Sequence, residues 1–338
     1  MSLRIVGCGW LSLFNRCICR MPYSTTVRRI IISLIAMMSL LSSLANADTF
    51  NPALYEQIMM LPAKIGNEII QLETTVYKPE GKGPFPLLIM NHGKALGNPH
   101  LQGRDRAVVI SSEFIKRGYA VVIPMRKGFS KSSGNYVETA CDMKRNGQLQ
   151  ADDLQAALSY LITQDWVDKN RIVVAGQSYG GLATIALGAR AFPGVKGLIN
   201  FAGGLRIHGG SCPWQSSLVN AFAEFGKHSA IPSLWFYGAN DSHFTPELAT
   251  KMHQAYVEAG GNAKLVAFGP FKKDAHTMSG SWDGIHIWWP ETEQFLQHIG
   301  MPTDSITAST ENVTLHQPDS DATIAEIATT KDTDATGN

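Results

Sequence analysis

The chain has 338 residues, of which 44% are hydrophobic and 17% charged, and this composition is typical of a globular protein. Nucleic acids and anionic membranes are normally bound by a basic face, and a formal net charge of +1 gives no electrostatic reason to expect either partner.

The N-terminal 47 residues differ from the rest of the chain because they contain five arginines and no acidic residue. An apolar run over residues 30–44 precedes the sequence A-N-A, which is the pattern of a secretory signal and its cleavage site. A membrane anchor is the alternative, but the run is shorter than the roughly 20 apolar residues that span a bilayer. We expect residues 1–47 to be a signal segment, translated from Met1 or Met21, and the mature protein to be exported to the periplasm or the medium.

Residues 48–300 alternate between two sequence patterns. Short apolar runs predict strands at residues 69–77, 86–90, 119–124, 171–175, 197–201, 233–237 and 264–268. Apolar residues at helical spacing predict helices at residues 108–117, 149–163, 180–191, 246–259 and 291–299. Because continuously apolar strands are buried on both faces, the sequence predicts an α/β fold whose central sheet is mostly parallel and has helices on both faces.

The C-terminal segment, residues 301–338, has no Phe, Trp or Tyr and carries seven acidic residues against one lysine. A segment of this composition cannot bury enough apolar area to offset the entropy lost on ordering. We therefore expect a flexible acidic tail after the folded domain of residues 48–300.

The first chemical signal is the stretch V-A-G-Q-S-Y-G-G at residues 174–181. It connects a predicted strand to a predicted helix, and this context distinguishes a G-x-S-x-G nucleophile turn from a chance match. So tight a turn needs small residues two before and two after the serine, and Gly176 and Gly180 occupy those positions. Ser178 is therefore predicted to be a nucleophile, and the alternative is an idle serine in a glycine-rich turn.

A nucleophilic serine needs a base and a carboxylate, which follow it here in the order Ser, Asp, His. Asp241 comes directly after a buried strand; its alternative role is a turn or helix-capping residue, with Glu247 as the substitute carboxylate. Of the ten histidines, His276 lies in the loop between the last predicted strand and the last predicted helix, and His286 is its competitor. The sequence predicts a triad of Ser178, Asp241 and His276.

Two backbone amides are expected to stabilise the oxyanion that forms during acyl transfer. Tyr179, directly after the nucleophile, supplies one of them. The other comes from Gly93 or Lys94, in the N-H-G-K stretch that follows an early strand, and His92 is expected to shape this loop and the neighbouring pocket.

Two cysteines follow the signal segment, Cys141 and Cys212. An oxidising compartment would allow them to pair, and two unpaired cysteines are the alternative.

These motifs together resemble the α/β-hydrolase superfamily, and within it the dienelactone-hydrolase-like and prolyl-oligopeptidase-like serine hydrolases. The resemblance covers roughly residues 65–300 and rests on N-H-G at 91–93, G-Q-S-Y-G-G at 176–181, Y-G-A-N-D at 237–241, D-A-H at 274–276 and the arginine-glycine loop at 125–134. It implies hydrolysis through a serine ester intermediate, with no metal and no organic cofactor.

The sequence departs from these families in two ways. Dienelactone hydrolases use a cysteine where this chain has Ser178, and no segment is long enough for the β-propeller of prolyl oligopeptidases. With a small lid or none, the site is expected to be open and to accept modest esters. Arg126 and Trp214 are candidate pocket residues, with packing as the alternative for Trp214, and a Cys141–Cys212 bridge would join two pocket walls.

The sequence thus predicts an exported serine hydrolase, a carboxylesterase that acts on a small or medium-sized ester. The alternatives are a peptidase of the same fold and a binding protein of this fold that has lost catalysis.

Overall fold

A computed structural model of the chain describes residues 54–207 and 211–306. The predicted signal segment lies outside these residues, as does the predicted tail from residue 307 onward. The strands in the described residues are β1 (Glu56–Ile65), β2 (Glu68–Tyr77), β3 (Phe85–Asn91), β4 (Ala120–Pro124), β5 (Val167–Gln177), β6 (Val195–Phe201), β7 (Ser233–Gly238) and β8 (Ala263–Phe268).

The strands form one mixed sheet in the order β1-β2-β4-β3-β5-β6-β7-β8. From β4 to β8 all neighbours are parallel, whereas β2 is antiparallel to both β1 and β4. The predicted mostly parallel α/β sheet is therefore confirmed, and the antiparallel hairpin of β1 and β2 forms one end of it. β1 was not predicted from the sequence.

Six α-helices accompany the sheet in the described residues: α1 (Val108–Ile115), α2 (Met143–Leu161), α3 (Tyr179–Gly188), α4 (Trp214–Gly226), α5 (Pro246–Glu258) and α6 (Ile285–His298). α2 and α6 each begin six residues before the predicted start, and α4 was not predicted. None of the helices within residues 54–207 and 211–306 has the length and apolar character needed to cross a membrane.

The two faces of the sheet bury separate hydrophobic clusters. Along β3, Leu87 and Ile89 belong to one cluster, while Leu88 and Met90 belong to the other. Successive side chains of a strand point to opposite faces, so an uninterrupted apolar run is buried on both sides. Helices α2 to α5 cover the first face, and α1 and α6 cover the second.

The segment between β6 and β7 belongs to the helix layer in its described part. α4 buries Leu218, Phe222 and Phe225 against the first cluster. This helix packs as part of the domain and is not a lid.

The residues just after position 300 pack against the domain, which corrects the predicted start of the tail. Met301 is buried, the Ile306 amide donates a hydrogen bond to the Lys116 carbonyl at 2.8 Å, and Tyr119 Oη donates to the Pro302 carbonyl at 2.7 Å. These residues follow α6 and cover the end of α1, so the folded region extends at least to Ile306.

The sheet topology determines where a site can form. β3 connects through α1 to β4 on one side, and β5 connects through α3 to β6 on the other. In open α/β sheets, ligands bind at the carboxyl ends of neighbouring strands whose connections diverge in this way. The loops after β3 and β5 therefore mark the expected site.

Candidate active site

Ser178 occupies a strained turn between β5 and α3. Its backbone dihedrals are φ 54° and ψ −122°, a conformation that is rare for any residue other than glycine. A Cβ at Gly176 would lie 2.2 Å from the Gly180 carbonyl oxygen, and one at Gly180 would lie 2.1 Å from the Asn91 carbonyl oxygen. Both flanking glycines are therefore required by close backbone contacts, which explains the G-x-S-x-G pattern physically.

Asp241 lies in the loop after β7 with its side chain fully buried. Its Oδ1 atom accepts hydrogen bonds from the backbone amides of His243 at 2.8 Å and Phe244 at 2.9 Å. Its Oδ2 atom lies 3.0 Å from Nδ1 of His276. The carboxylate is thus held by its own loop on one side and faces an imidazole on the other.

His276 lies in the first turn of a 3₁₀ helix, Ala275–Gly280, after β8. Its amide donates to Asp274 Oδ1 at 2.9 Å, and its carbonyl accepts a hydrogen bond from the Gln177 side chain at 3.1 Å. Because an ionised carboxylate can only accept, the hydrogen bond to Asp241 places the imidazole proton on Nδ1. Nε2 is left as the basic nitrogen of the ring.

Ser178 and His276 line the same cavity of about 410 Å³. Its other lining residues come mainly from the loops after β3, β5, β6 and β7: Gly93, Lys94, Ala95, Leu96, Gln102, Asp105, Gln177, Tyr179, Gly204, Leu205, Arg206, His243 and Phe244. The structure therefore brings the predicted nucleophile and base to one cavity, and His276 joins them to Asp241. His286 lies in α6 and is not among the residues that line it.

The three predicted oxyanion residues also line this cavity. Tyr179 is the first residue of α3, where the backbone N–H has no intrahelical acceptor and the helix dipole favours negative charge. Gly93 packs against the nucleophile turn so closely that a Cβ there would lie 2.6 Å from Gln177 Oε1 and 3.4 Å from Ser178 Cβ. The loop after β3 can therefore present its amides next to Ser178.

The predicted pocket residues His92 and Arg126 are fully buried and are not among the residues that line the cavity, so neither is a pocket residue; His92 keeps its other expected role, which is to shape the loop after β3. The guanidinium of Arg126 donates to the His92 carbonyl at 2.7 Å and to Gln150 Oε1 at 2.7 Å. Burial, together with the charge of Arg126, lowers the pKa of His92 well below its usual value. A neutral histidine and a buried arginine thus support the loop from behind.

Trp214 also lies outside the cavity lining, so its alternative role as a packing residue fits the structure. It is the first residue of α4, and its indole meets the ring of Phe244 edge-on with centroids 6.4 Å apart. Phe244 lines the cavity, and Trp214 supports it.

The polar side chains at or near the site that were not predicted from the sequence include those of His243, Asp105 and Asp274. The ring of His243 stacks on that of His276 with centroids 4.2 Å apart, and burial followed by the charge of His276 lowers its pKa. Asp105 lines the cavity, and burial raises its pKa. Asp274 binds the loops of both Asp241 and His276. The D-A-H motif contains Asp274, and the stretch after Asp241 contains His243, but neither pattern reveals which side chains meet.

Asp241, His243 and His276 also have ligand atoms within 4.8 Å of one another, as a metal ion would require. Both Asp241 oxygens already accept hydrogen bonds, and His276 Nδ1 is one of their donors. A metal bound here would have to displace the interaction that orients the imidazole.

The two cysteines form a disulfide, Cys141–Cys212, with Cα atoms 5.6 Å apart. It connects the segments that precede α2 and α4, and the Ser217 hydroxyl donates to the Cys141 carbonyl at 2.5 Å. Neither cysteine is among the described residues that line the cavity, so the bridge supports helix starts and not two pocket walls.

Comparison with known proteins gives partial matches. Residues 108–193, which include Ser178, match the prolyl oligopeptidase family. The chain is 28% identical over 129 residues to the quorum-quenching protein AidA of Acinetobacter baumannii, covering 38% of this chain and 39% of that protein. It is 28% identical over 144 residues to the cocaine esterase of a Rhodococcus species, covering 41% of this chain and 22% of that protein. Less than half of each relative is therefore matched.

Solved structures show the same fold. An esterase of Pyrococcus furiosus superposes with a TM-score of 0.53 at 17% identity, covering 75% of this chain and 96% of the esterase. Dipeptidyl peptidase 4 of Porphyromonas gingivalis superposes with a TM-score of 0.54 at 18% identity, covering 72% of this chain and 35% of the peptidase. The chain has the α/β-hydrolase fold, and the sequence matches relate it to serine hydrolases that include esterases and peptidases.

Proposed function

We propose that the protein is a serine hydrolase that cleaves ester bonds of small to medium acyl substrates through an acyl-enzyme intermediate. The observation that carries this proposal is the arrangement around one cavity: a serine in a strained strand-to-helix turn, and a histidine whose Nδ1 lies 3.0 Å from a buried carboxylate. Strained backbone and a buried carboxylate–imidazole pair cost stability, so their coincidence at one cavity favours a catalytic role.

In this mechanism, the hydroxyl oxygen of Ser178 attacks the ester carbonyl carbon while His276 Nε2 accepts the hydroxyl proton. Asp241 stabilises the imidazolium that forms and keeps the ring oriented. His276 then donates this proton to the leaving alcohol as the carbon–oxygen bond breaks. Water, activated by the same imidazole, attacks the acyl-serine and releases the acid.

The oxyanion of each tetrahedral intermediate accepts hydrogen bonds from the Tyr179 amide and from an amide of the loop after β3. These donors are held by the backbone before the substrate arrives, so little reorganisation is needed as charge develops. Removal of one such donor typically costs about 3 kcal/mol of transition-state stabilisation.

The cavity supports a substrate of limited size. Its volume of about 410 Å³ is near the lower end of ligand pockets, which span roughly 300–1,000 Å³. The similarity to a cocaine esterase supports ester cleavage. Carboxylesterase activity is therefore the first choice.

A peptidase of the same fold is the second candidate, because residues 108–193 match the prolyl oligopeptidase family. Asp105 provides a carboxylate at the cavity, the kind of group that binds the ammonium terminus of a peptide. Its raised pKa weakens this argument, since burial disfavours the charged form that such binding needs.

A panel of substrates separates the two candidates. The protein and its Ser178→Ala variant are assayed with p-nitrophenyl acetate, butyrate and octanoate and with aminoacyl p-nitroanilides. We expect ester turnover that Ser178→Ala abolishes, with the highest kcat/KM on the shorter esters. Faster cleavage of the anilides would favour the peptidase, and no turnover of any substrate by folded protein would favour a binding protein.

We also propose that the protein is exported. The signal-like segment of residues 1–47 supports this, and the Cys141–Cys212 disulfide is compatible with an oxidising compartment. Intact mass of the protein recovered from cell fractions tests the proposal, with a mature chain that begins at Asp48 as the expected result and an uncleaved cytoplasmic chain as the contrary one.

A further inference from the structure

The side chain of Gln102 holds the loop after β3 at two points. Its Oε1 atom accepts a hydrogen bond from the Ala95 amide at 2.8 Å, and its Nε2 atom donates to the Gly93 carbonyl at 3.2 Å. These two groups belong to the peptide units on either side of the Lys94 Cα atom. One side-chain amide thus restrains both peptides that flank Lys94.

A buried histidine restrains the same carbonyl. The Arg126 amide donates to His92 Nε2 at 3.0 Å, so this nitrogen is the acceptor and the proton is on Nδ1. Nδ1 lies 2.7 Å from the Gly93 carbonyl oxygen and donates to it. Both lone pairs of the Gly93 carbonyl are therefore used, one by His92 and one by Gln102.

Fixing this carbonyl also fixes the direction of the Lys94 amide. Within the described part of the chain, Gly83–Pro84 is the only cis peptide bond, so the Gly93–Lys94 bond is trans. In a planar trans peptide the C=O and N–H bonds point in opposite directions. The carbonyl is directed at His92 and Gln102, and the Lys94 N–H is directed away from them.

The Lys94 amide has no hydrogen-bond acceptor among residues 54–207 and 211–306, and Lys94 lines the cavity of Ser178. We infer that Gln102 is a positioning residue, which aims the Lys94 amide at the substrate oxyanion as the second donor beside Tyr179. This inference rests on the proposed hydrolase function.

The Gly93 amide is restrained by a different group. The carbonyl opposite it, that of His92, accepts a hydrogen bond from the buried Arg126 guanidinium at 2.7 Å. Substitution of Gln102 therefore loosens the Lys94 peptide and leaves the anchor of the Gly93 amide intact. Gln102 is also only partly buried, whereas His92 and Arg126 are fully buried, so its variants have the best chance of folding.

Two variants and one control test the inference. Gln102→Met keeps the length of the side chain and removes both hydrogen bonds. Gln102→Glu keeps an acceptor for the Ala95 amide but places a carboxylate oxygen against the Gly93 carbonyl. The control, His100→Ala, changes an exposed residue two positions away whose side chain makes no hydrogen bond within the described residues.

Four quantities are measured for each protein: kcat and KM on p-nitrophenyl butyrate, the affinity for an alkyl trifluoromethyl ketone, and the midpoint of thermal unfolding. The ketone forms a tetrahedral adduct whose oxygen occupies the oxyanion position, so its affinity reports on the donor independently of turnover. Loss of a whole donor costs about 10²- to 10³-fold in kcat, and a misaligned donor should cost about 10- to 100-fold.

We expect both Gln102 variants to lose about 10- to 100-fold in kcat and in ketone affinity, with KM within about threefold of the wild-type value. His100→Ala should match the wild type. A kcat within about twofold of wild type for either folded variant would overturn the inference, as would a raised KM with unchanged kcat, which would make Gln102 a substrate-binding residue. If the wild type itself turns over no ester, the proposed function fails and the inference fails with it.

Discussion

Asp274 joins the two loops that carry the carboxylate and the base of the proposed triad. Its Oδ1 atom accepts hydrogen bonds from the amides of Ser242 at 3.0 Å and His276 at 2.9 Å, and its Oδ2 atom accepts the Ser242 hydroxyl at 2.6 Å. Asp274→Ala removes all three hydrogen bonds at once. We expect this variant to lose both stability and turnover.

The size of each effect follows from these contacts. A typical hydrogen bond contributes about 0.5–1.5 kcal/mol net, and the partial exposure of Asp274 reduces the benefit of its charge, so we expect a loss of about 2 kcal/mol in the free energy of unfolding. The His276 loop is then less well fixed, and a misplacement of about 1 Å costs on the order of 10²-fold in rate. Asp274→Asn keeps an acceptor for both amides and should lose about half the stability and less of the activity.

Acid should diminish the difference in stability between wild type and Asp274→Ala. Burial of Asp274 opposes its ionisation, but hydrogen bonds from Ser242 and His276 outweigh it and hold the pKa below its usual value. A carboxylate with a lowered folded-state pKa stabilises the protein above the unfolded-state pKa, and this contribution is lost as pH falls through the folded-state pKa. The two unfolding curves should therefore converge at the acidic end.

Urea unfolding and ester kinetics on the three proteins provide the assay. Asp283→Ala is the matched control, because this exposed carboxylate pairs only with the Lys272 ammonium at the surface in the described structure, and such pairs contribute little. If Asp274→Ala turns over ester within about twofold of wild type, the two loops keep their geometry without Asp274, and Asp274 is not needed to position His276.

Three further predictions concern the scaffold. Replacing Cys141 and Cys212 together by serine should lower the free energy of unfolding by about 4 kcal/mol, because the bridge spans a sequence separation of 71 residues; an unchanged urea midpoint would contradict this. The lowered pKa of His92, caused first by burial, means that the unfolded chain binds a proton below about pH 6.5 that the folded chain does not. The free energy of unfolding should therefore decrease as the pH decreases, by up to about 1.4 kcal/mol per pH unit. In urea unfolding between pH 7.5 and 5.5, His92→Gln should lose this pH dependence; an equal pH dependence in wild type and variant would contradict the lowered pKa of His92. Gly180→Ala should abolish ester turnover, since the new Cβ would lie 2.1 Å from the Asn91 carbonyl oxygen; soluble variant protein with unchanged kcat/KM would exclude the tight turn.

The parallel strands could be read from the sequence because each is a continuous apolar run buried on both faces. β1 lacks this signal because it lies at the sheet edge, where residues such as Met60 and Lys64 are exposed. The start of α2 was obscured by Gly147, which lowers helix propensity. This glycine is needed for packing, since a Cβ there would lie 2.9 Å from the Phe225 ring. Similarly, the last helix was predicted to start directly after Pro290, but α6 runs through this proline.

Some residues of the candidate site could likewise be predicted from the sequence, and others could not. Ser178, Asp241 and His276 could be predicted because their positions follow from strand ends, whose location is a local property of the sequence. Gln102 and Asp274 could not, because their significance depends on hydrogen bonds to loops distant in sequence, such as the contact between Asp274 and Ser242 across 32 positions. Arg126 was assigned to the pocket because its loop resembles one in related families, whereas burial places it behind the wall.

Covalent labelling tests whether Ser178 is the nucleophile. The protein, Ser178→Ala and the control Ser159→Ala, which changes an exposed serine on α2, are treated with a fluorophosphonate and examined by intact mass and peptide mapping. The expected result is one adduct per molecule on Ser178 in the wild type and in Ser159→Ala, and none in Ser178→Ala. An adduct that persists in folded Ser178→Ala, or no adduct in folded wild type, would contradict it.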